Sequence, residues 1–478
     1  NPLDSLNNKG HNYFLSQNPY TLNSYAAFGE AYYNILDDLK FIGGLRWTED
    51  QKHFTDIPSE LLVPGFGYPV TGILNQQWDE FTGRAGVNWT PKLSFTDQTL
   101  IYGSYAHGYK AGGANPPGAI LITYAYVNGG TSNPIHPLKF EPEFINAFEI
   151  GSKNTLLDGT LTLNFDMFYY NYKNYQISRI VDRTSINDNF DAHVKGAEIE
   201  STWEPVPGLR LNFAGGWEHT EVAKGEKSID LMDRTDAANH PGWIVVKPWV
   251  TQASNCILPD YVIGADLRTA DQVPGAGAVN QACTLAYGAH LDPVTSLSYV
   301  ADPTQVFFNN SVSDRDLFGY AGFDPLAGTP GHPYTGQNTA HGIDYGPAPN
   351  NGEGFDKDLS GNELPNAPPF TVSFGAQYSV PLSSDWAGTI RGDYYWQDYS
   401  WARVFNDDPY DRLRGYTNIN LTLIFTNQNG WQVMLYDKNI FNTTAITGTF
   451  LNSDDSGLTT NVFLTDPKLI GIRVTKNW

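Results

Sequence analysis

The sequence predicts an all-β chain whose strands form a transmembrane antiparallel β-barrel, and three observations carry that expectation. Thirteen segments read as strands, and short turns alternate with long excursions between them, the two-faced layout of outer-membrane barrels. Within the segments, apolar and polar residues alternate with period two. Aromatic residues make up 14% of the 478 positions, yet the mean hydropathy is only −0.36. No apolar run is long enough for a helical span. Barrel strands show such values because lipid-facing and lumen-facing residues average out.

The segments follow in order. Ser24–Leu36 and Leu39–Phe54 flank Asp37-Asp38, residues suited to a tight turn. A long connection, Thr55–Asp79, leads to Glu80–Trp89 and then Thr99–Lys110. A second, Ala111–Glu141, leads to Pro142–Lys153, which turns through Thr155–Asp158. In Gly159–Lys173, Leu161, Leu163, Phe165, Met167 and Tyr169 alternate with Thr160, Thr162, Asn164 and Asp166. Asn174–Asp191 reads as the next long connection, before Ala192–Glu204. After Pro205–Gly208, Leu211, Phe213 and Trp217 alternate with Asn212, Ala214 and Glu218 in Leu209–Thr220.

The longest connection, Glu221–Ala367, precedes the clearest strand. Phe370, Val372, Phe374, Ala376, Tyr378 and Val380 occupy one face, and Thr371, Ser373, Gly375, Gln377 and Ser379 the other. A tilted strand of about 9–11 residues crosses a bilayer core. Asp385–Trp401, Tyr416–Phe425, Trp431–Asn439 and Leu469–Trp478 complete the set, separated at the far side by Ala402–Gly415 and Ile440–Lys468. Trp203, Trp217, Trp396 and Trp431 stand near strand ends, where amphipathic rings suit a headgroup interface.

Charge narrows the function. The chain has 29 basic and 51 acidic side chains, a net charge of −22. That argues against nucleic acid as a partner, since phosphates need a basic surface. No nucleotide loop, nucleophile elbow or HExxH pair is present. The connection 221–367 holds 18 acids against seven bases, half of the net charge, and 12 of the 30 prolines. A connection of this length reads either as a lid or partner-docking element or as a solvated insertion.

The two cysteines, Cys256 and Cys283, both lie in that connection. Such a pair in an exposed loop points to a disulfide formed in an oxidising compartment. It would stabilise the loop by about 3–4 kcal/mol on the chain-entropy account. Two buried free thiols are the alternative.

Several runs together resemble the TonB-dependent outer-membrane receptors. They are Tyr102–Gly113 (YGSYAHGYKAGG), Phe140–Glu143 (FEPE), Phe148–Lys153 (FEIGSK), Leu157–Gly159, Phe168–Lys173 (FYYNYK), Lys195–Glu200 (KGAEIE) with Pro205–Gly208, Gly361–Pro368 (GNELPNAP), Asp437–Asn442 (DKNIFN) and Pro467–Trp478. The resemblance covers nearly the whole chain. It implies a 22-stranded barrel around an N-terminal plug. Its last strand would carry an assembly signal, here Ile470, Ile472, Val474 and Trp478, with Lys476 standing where an apolar residue is usual.

Neither a plug nor a TonB box is visible before the first segment. Thirteen is odd, whereas single-chain bacterial barrels have even counts. The expectation is therefore that residues 1–478 are the C-terminal portion of the barrel. The resemblance further implies TonB-dependent uptake of a scarce ligand, with an iron–siderophore complex as the default, and no enzyme activity. Expected partners are the TonB complex acting through the plug, outer-membrane lipid and lipopolysaccharide, a small-molecule ligand, and a surface protein on 221–367. The alternatives are a glycan, vitamin or aromatic substrate, a passive channel, or a secreted β-rich binding protein.

For substrate contact, aromatic and cationic groups near the extracellular strand ends are the candidates: Tyr109, Tyr170, Tyr172, Trp396, Tyr399, Trp401 and Arg403. Asp166, Glu198, Glu200, Arg391, Asp393, Gln397 and Arg473 are expected to face the lumen. Asp356, Asp358 and Ser360 resemble the start of a calcium loop, although Ala367 occupies the closing-glutamate position. The histidines show no metal-ligand spacing, and no cofactor is otherwise expected.

Overall fold

A computed structural model describes residues 19–56, 72–115, 139–181, 184–246, 256–262, 327–328, 333–336, 338–452 and 459–477. Thirteen long strands form one sheet: β1 (Tyr20–Leu36), β2 (Leu39–Asp56), β3 (Gly72–Trp89), β4 (Gln98–Lys110), β5 (Glu143–Leu156), β6 (Leu161–Val181), β7 (Thr184–Val206), β8 (Leu209–Val222), β9 (Phe370–Pro381), β10 (Trp386–Gln397), β11 (Tyr416–Asn427), β12 (Trp431–Lys438) and β13 (Leu469–Lys476). They lie in chain order, each hydrogen-bonded antiparallel to the next. Each of the thirteen expected segments overlaps one of these strands. Among the described residues β1 and β13 are the two edges.

Pairing register turns the period-two pattern into two surfaces. Phe213, Phe374, Tyr394 and Ile419 form one row across β8 to β11. The adjacent row is Asn212, Gly375, Asp393 and Asn420. The apolar rows are exposed, with Phe374 at 42%, Ile390 at 49% and Ile472 at 65%. This inverts the order of a soluble protein and fits a wall whose outer face meets lipid and whose inner face meets water. No helix among the described residues is long and apolar enough to cross a membrane.

The strict alternation of short and long connections fails at one place. β6 and β7 continue as a hairpin to Val181 and Thr184, so Asn174–Asp191 is not a long connection. The register shifts between Tyr172 and Tyr175, around Asn174 in a left-handed conformation (φ 55°). That extra residue reverses the in–out parity, and so the period-two signal ends there while the ladder does not.

Two further expected boundaries move. β2 and β3 extend to Asp56 and from Gly72, which shortens the connection placed at Thr55–Asp79. The segment Asp385–Trp401 leaves the main ladder after Gln397, and Ser400–Trp401 pairs instead with Arg412–Leu413.

Above the wall the connections pack on one another. Short antiparallel pairs join Lys227–Ile229 to Asp356–Asp358 and Trp243–Val246 to Cys256–Pro259. Phe190, Ala192, Val194, Val222, Leu359, Leu364 and Val404 form a buried cluster, with Phe168, Tyr170, Tyr172 and Tyr175 packed beneath it. The described parts of 221–367 are thus folded against the strand ends.

Candidate functional site

Inner-face residues of β4 to β8 line a recess of about 560 Å³ below this cluster. Its wall carries the carboxylates of Glu149, Asp166, Glu198, Glu200 and Glu218, with Lys153 as the cation beside them. Low-dielectric walls focus such a field and favour positive charge in the recess. The Tyr102 hydroxyl donates to Glu149 Oε1 at 2.6 Å. Phe168 stacks on Tyr170 at 4.8 Å, and Tyr172 meets Tyr175 edge-on at 5.3 Å.

The ceiling of the recess is Leu364–Ala367. Local hydrogen bonds fix this segment. The Asn362 side-chain amide donates to the carbonyls of Val404 (2.9 Å) and Phe405 (3.2 Å). The Glu363 amide donates to Asn406 Oδ1 at 2.6 Å, and the Asn366 amide to the Trp401 carbonyl at 2.8 Å. Asn366 takes a left-handed conformation (φ 58°), which asparagine tolerates better than most residues.

A second recess of about 370 Å³ lies on the same face across β6 to β11. There Arg391 Nε donates to Asp393 Oδ2 at 3.0 Å. Gly375 leaves space for the guanidinium, which a Cβ at that position would meet at 2.8 Å.

Of the candidate contact residues, Tyr170 and Tyr172 stand in the first recess. Tyr109 packs on Phe144 at 5.7 Å, with its buried hydroxyl on the side of Asp50. Trp396 shares the outer-face parity of Ile390 and Tyr394, away from Arg391 and Asp393. Tyr399 donates to Glu363 Oε1 at 3.1 Å and carries Arg412 over its ring at 4.7 Å. Burial and then Glu363 push its hydroxyl pKa up. Trp401 lies in the short pair with Arg412 and meets Tyr399 edge-on.

Arg403 is taken up inside the protein. Its Nη1 donates to Asp230 Oδ1 and its Nε to Asp411 Oδ1, both at 2.6 Å. Burial lowers the guanidinium pKa, but the two carboxylates outweigh it and hold the group above the ordinary arginine value. Burial likewise raises Asp411, against the pull of Arg403.

Sequence reasoning found Asp166, Glu198 and Glu200 but not Glu149, Glu218, Tyr102 or Tyr175. Extending the period-two parity to Pro142–Lys153 would have placed Glu149 beside Asp166, whose strand neighbours it across β5 and β6.

The calcium-like residues already serve local structure. Asp358 Oδ1 accepts from the Ser360 amide at 2.9 Å and from its hydroxyl at 2.5 Å. Asp356 accepts from Asn350 Nδ2 at 3.1 Å. Among the described residues no group of three or more His, Cys, Asp or Glu could hold a metal.

Cys256 begins a short strand, while Cys283 lies outside the described residues, as does Trp478. Ile470, Ile472 and Val474 are exposed on one face of β13. Lys476 sets its ammonium over the Trp431 ring at 5.5 Å, so its stem follows the apolar face.

Comparisons with known proteins agree with this wall. The family described as TonB dependent receptor-like, beta-barrel matches residues 1–251. No curated protein matches the chain. Among solved structures, the ferric yersiniabactin uptake receptor FyuA from Yersinia pestis is 14% identical, with a TM-score of 0.53 over 96% of this chain and 46% of that one. The siderophore receptor PiuA from Acinetobacter baumannii is 12% identical, with a TM-score of 0.52 over 95% of this chain and 43% of that one. The ferric-catecholate import receptor Fiu from Escherichia coli K12 is 13% identical, with a TM-score of 0.50 over 96% and 45%. The chain thus spans less than half the length of each of these structures. An inside-out antiparallel wall, family-like runs along its strands and connections, and the match over residues 1–251 together place this chain in the TonB-dependent receptor family of outer-membrane β-barrels.

Proposed function

We propose that this chain supplies wall and rim for TonB-dependent uptake of a scarce extracellular ligand, an iron–siderophore complex by default. The observation that carries the reading is the roofed recess on the inner face. Its tyrosines offer flat faces and hydroxyls to a ligand, and its ceiling is built from the family-like run Gly361–Pro368. The fold neighbours FyuA, PiuA and Fiu are named for ferric yersiniabactin, a siderophore and a ferric catecholate, which supports the iron-chelate class, while the carboxylates of the recess favour a neutral or cationic chelate over an anionic one. A glycan, vitamin or aromatic compound would use the same transporter type.

In this reading the chain's residues bind and orient the ligand and catalyse no bond change. Energy would come from the TonB complex through a plug in the lumen. The test is uptake of radioiron-loaded siderophores by cells producing the full-length receptor, with and without a functional TonB. Uptake that needs both proteins supports the proposal. Uptake unaffected by loss of TonB would indicate a passive channel, and a failure of every siderophore, with TonB-dependent uptake of another solute, would move the ligand class.

A further inference from the structure

We infer that Asp230 is a buried charge latch that closes three separate segments into one rim over the inner-wall recess. The inference rests on geometry and holds whichever ligand is imported. Asp230 is 0% exposed and begins just past the short strand Lys227–Ile229, at the start of the long connection. Two cations reach its carboxylate from different parts of the chain. Arg403, in the Ala402–Gly415 connection, donates at 2.6 Å and packs its guanidinium over Phe405. Lys357, near the end of the long connection, approaches to 3.7 Å and bonds Asp233 at 2.7 Å.

The position of these groups makes the latch cooperative. Lys357 lies in Asp356–Asp358, the strand paired with Lys227–Ile229. Seven residues further on is Leu364, where the ceiling of the recess begins. Arg403 is flanked by Trp401, which accepts from the Asn366 amide, and by Val404, which accepts from Asn362. A carboxylate buried without a cation is strongly destabilised there, and whether it takes up a proton or moves to water its charge-assisted bonds are lost. Without them, the strand pair that Asp230 terminates loses its anchor, and the ceiling loses support from both of its flanks. Loss of the Asp230 charge therefore loosens all three segments, whereas loss of one cation loosens only the segments that cation joins.

Hydrogen–deuterium exchange on the full-length receptor in detergent, read by mass spectrometry, tests this. Asp230→Asn keeps shape and removes charge. It is expected to speed exchange about tenfold or more in 356–367 and 402–411 as well as in 227–235, the factor that about 1.4 kcal/mol of lost opening energy gives. Exchange in β9 should not change. Faster exchange confined to 227–235, or none, overturns the latch. If that variant fails to assemble, Lys357→Met serves, since Arg403 still neutralises Asp230. It is expected to loosen 227–235 and 356–367 and to leave 402–411 protected. Loosening of all three segments by that variant, or of none, overturns the assignment.

Discussion

The Leu364 amide donates to the Thr220 hydroxyl at 2.9 Å, which ties the roof of the recess to the upper end of β8 across 144 residues of sequence. Thr220 is 4% exposed and Leu364 6% exposed, so water does not reach this bond. The long connection leaves the wall at β8 and returns at β9. This bond sits where the departing and returning chains meet.

Replacing Thr220 by Val keeps the shape and removes the acceptor. The buried Leu364 amide then has no partner, which costs about 1–3 kcal/mol. The loss is expected in the ceiling rather than in the barrel. Amide exchange at 362–366 should rise, while the heat-modifiable gel mobility of the folded barrel stays as in the unmodified protein. Unchanged exchange at 362–366 would mean the bond contributes nothing to the roof.

Gly113 fixes a second joint, where the family-like run after β4 meets Phe140. A Cβ on Gly113 would run into the Phe140 ring, and one on Gly112 would meet the Phe140 carbonyl. Gln76 Nε2 donates to the Gly113 carbonyl at 2.8 Å, and Lys52 Nζ to that of Gly112. Gly113→Ala is expected to lower the yield of folded barrel, because forcing atoms into a packed joint costs about 1–3 kcal/mol. A Gly112→Ala, Gly113→Ala double variant with a normal yield and melting temperature would refute the joint.

The wall was legible in the sequence because lipid on one side and water on the other impose period two, clearest in Phe370–Pro381 and in the lower part of β6. The upper part of the β6–β7 hairpin was not legible, because Asn174 shifts the register and its flanking residues pack against loops rather than lipid. The site was half legible. Tyr170 and Tyr172 follow from strand parity, as do Asp166, Glu198 and Glu200. Arg403 looked like a ligand contact because an arginine near a rim is usually solvated. Its partner Asp230 is 173 residues away, and no local pattern announces such a pair. Some of the runs that carry the resemblance form joints between connections. Asn439 in DKNIFN has a φ of 49° and bonds the carbonyls of Thr443 and Asp466, each at 2.9 Å.

The turn at Asp358 is expected to respond to acid. The Ser360 hydroxyl, and then its amide, hold the Asp358 carboxyl below its ordinary value of 3.8. A depressed carboxyl contributes stability above its unfolded pKa and loses it as pH falls through the folded one. Exchange at Ser360 and Gly361 should therefore be flat above about pH 5 and, once corrected for intrinsic rates, rise below pH 3.8. Asp358→Asn should remove that rise. The same variant titrated with calcium addresses the calcium-like spacing: equal heats for variant and unmodified protein would show that Asp358 takes no part in binding the ion.

Tyr170 and Trp396 separate the two faces of the wall by function. Tyr170 stacks on Phe168 inside the recess, whereas Trp396 shares the outer parity of Ile390 and Tyr394. Under the uptake proposal, Tyr170→Leu keeps apolar bulk and removes a flat face and a hydroxyl. An aromatic contact of this kind is worth about 0.5–1.5 kcal/mol beyond area, so ligand affinity should fall about 2- to 10-fold. Trp396→Leu should leave affinity unchanged and act, if at all, on membrane insertion, since an interfacial ring anchors the wall. The measurement is equilibrium binding of a ferric siderophore to cells with matched receptor levels. Equal losses from both variants would place the ligand outside the recess, on the rim above it, and would shift attention to Tyr399 and Trp401, which meet edge-on there with ring centroids 6.1 Å apart.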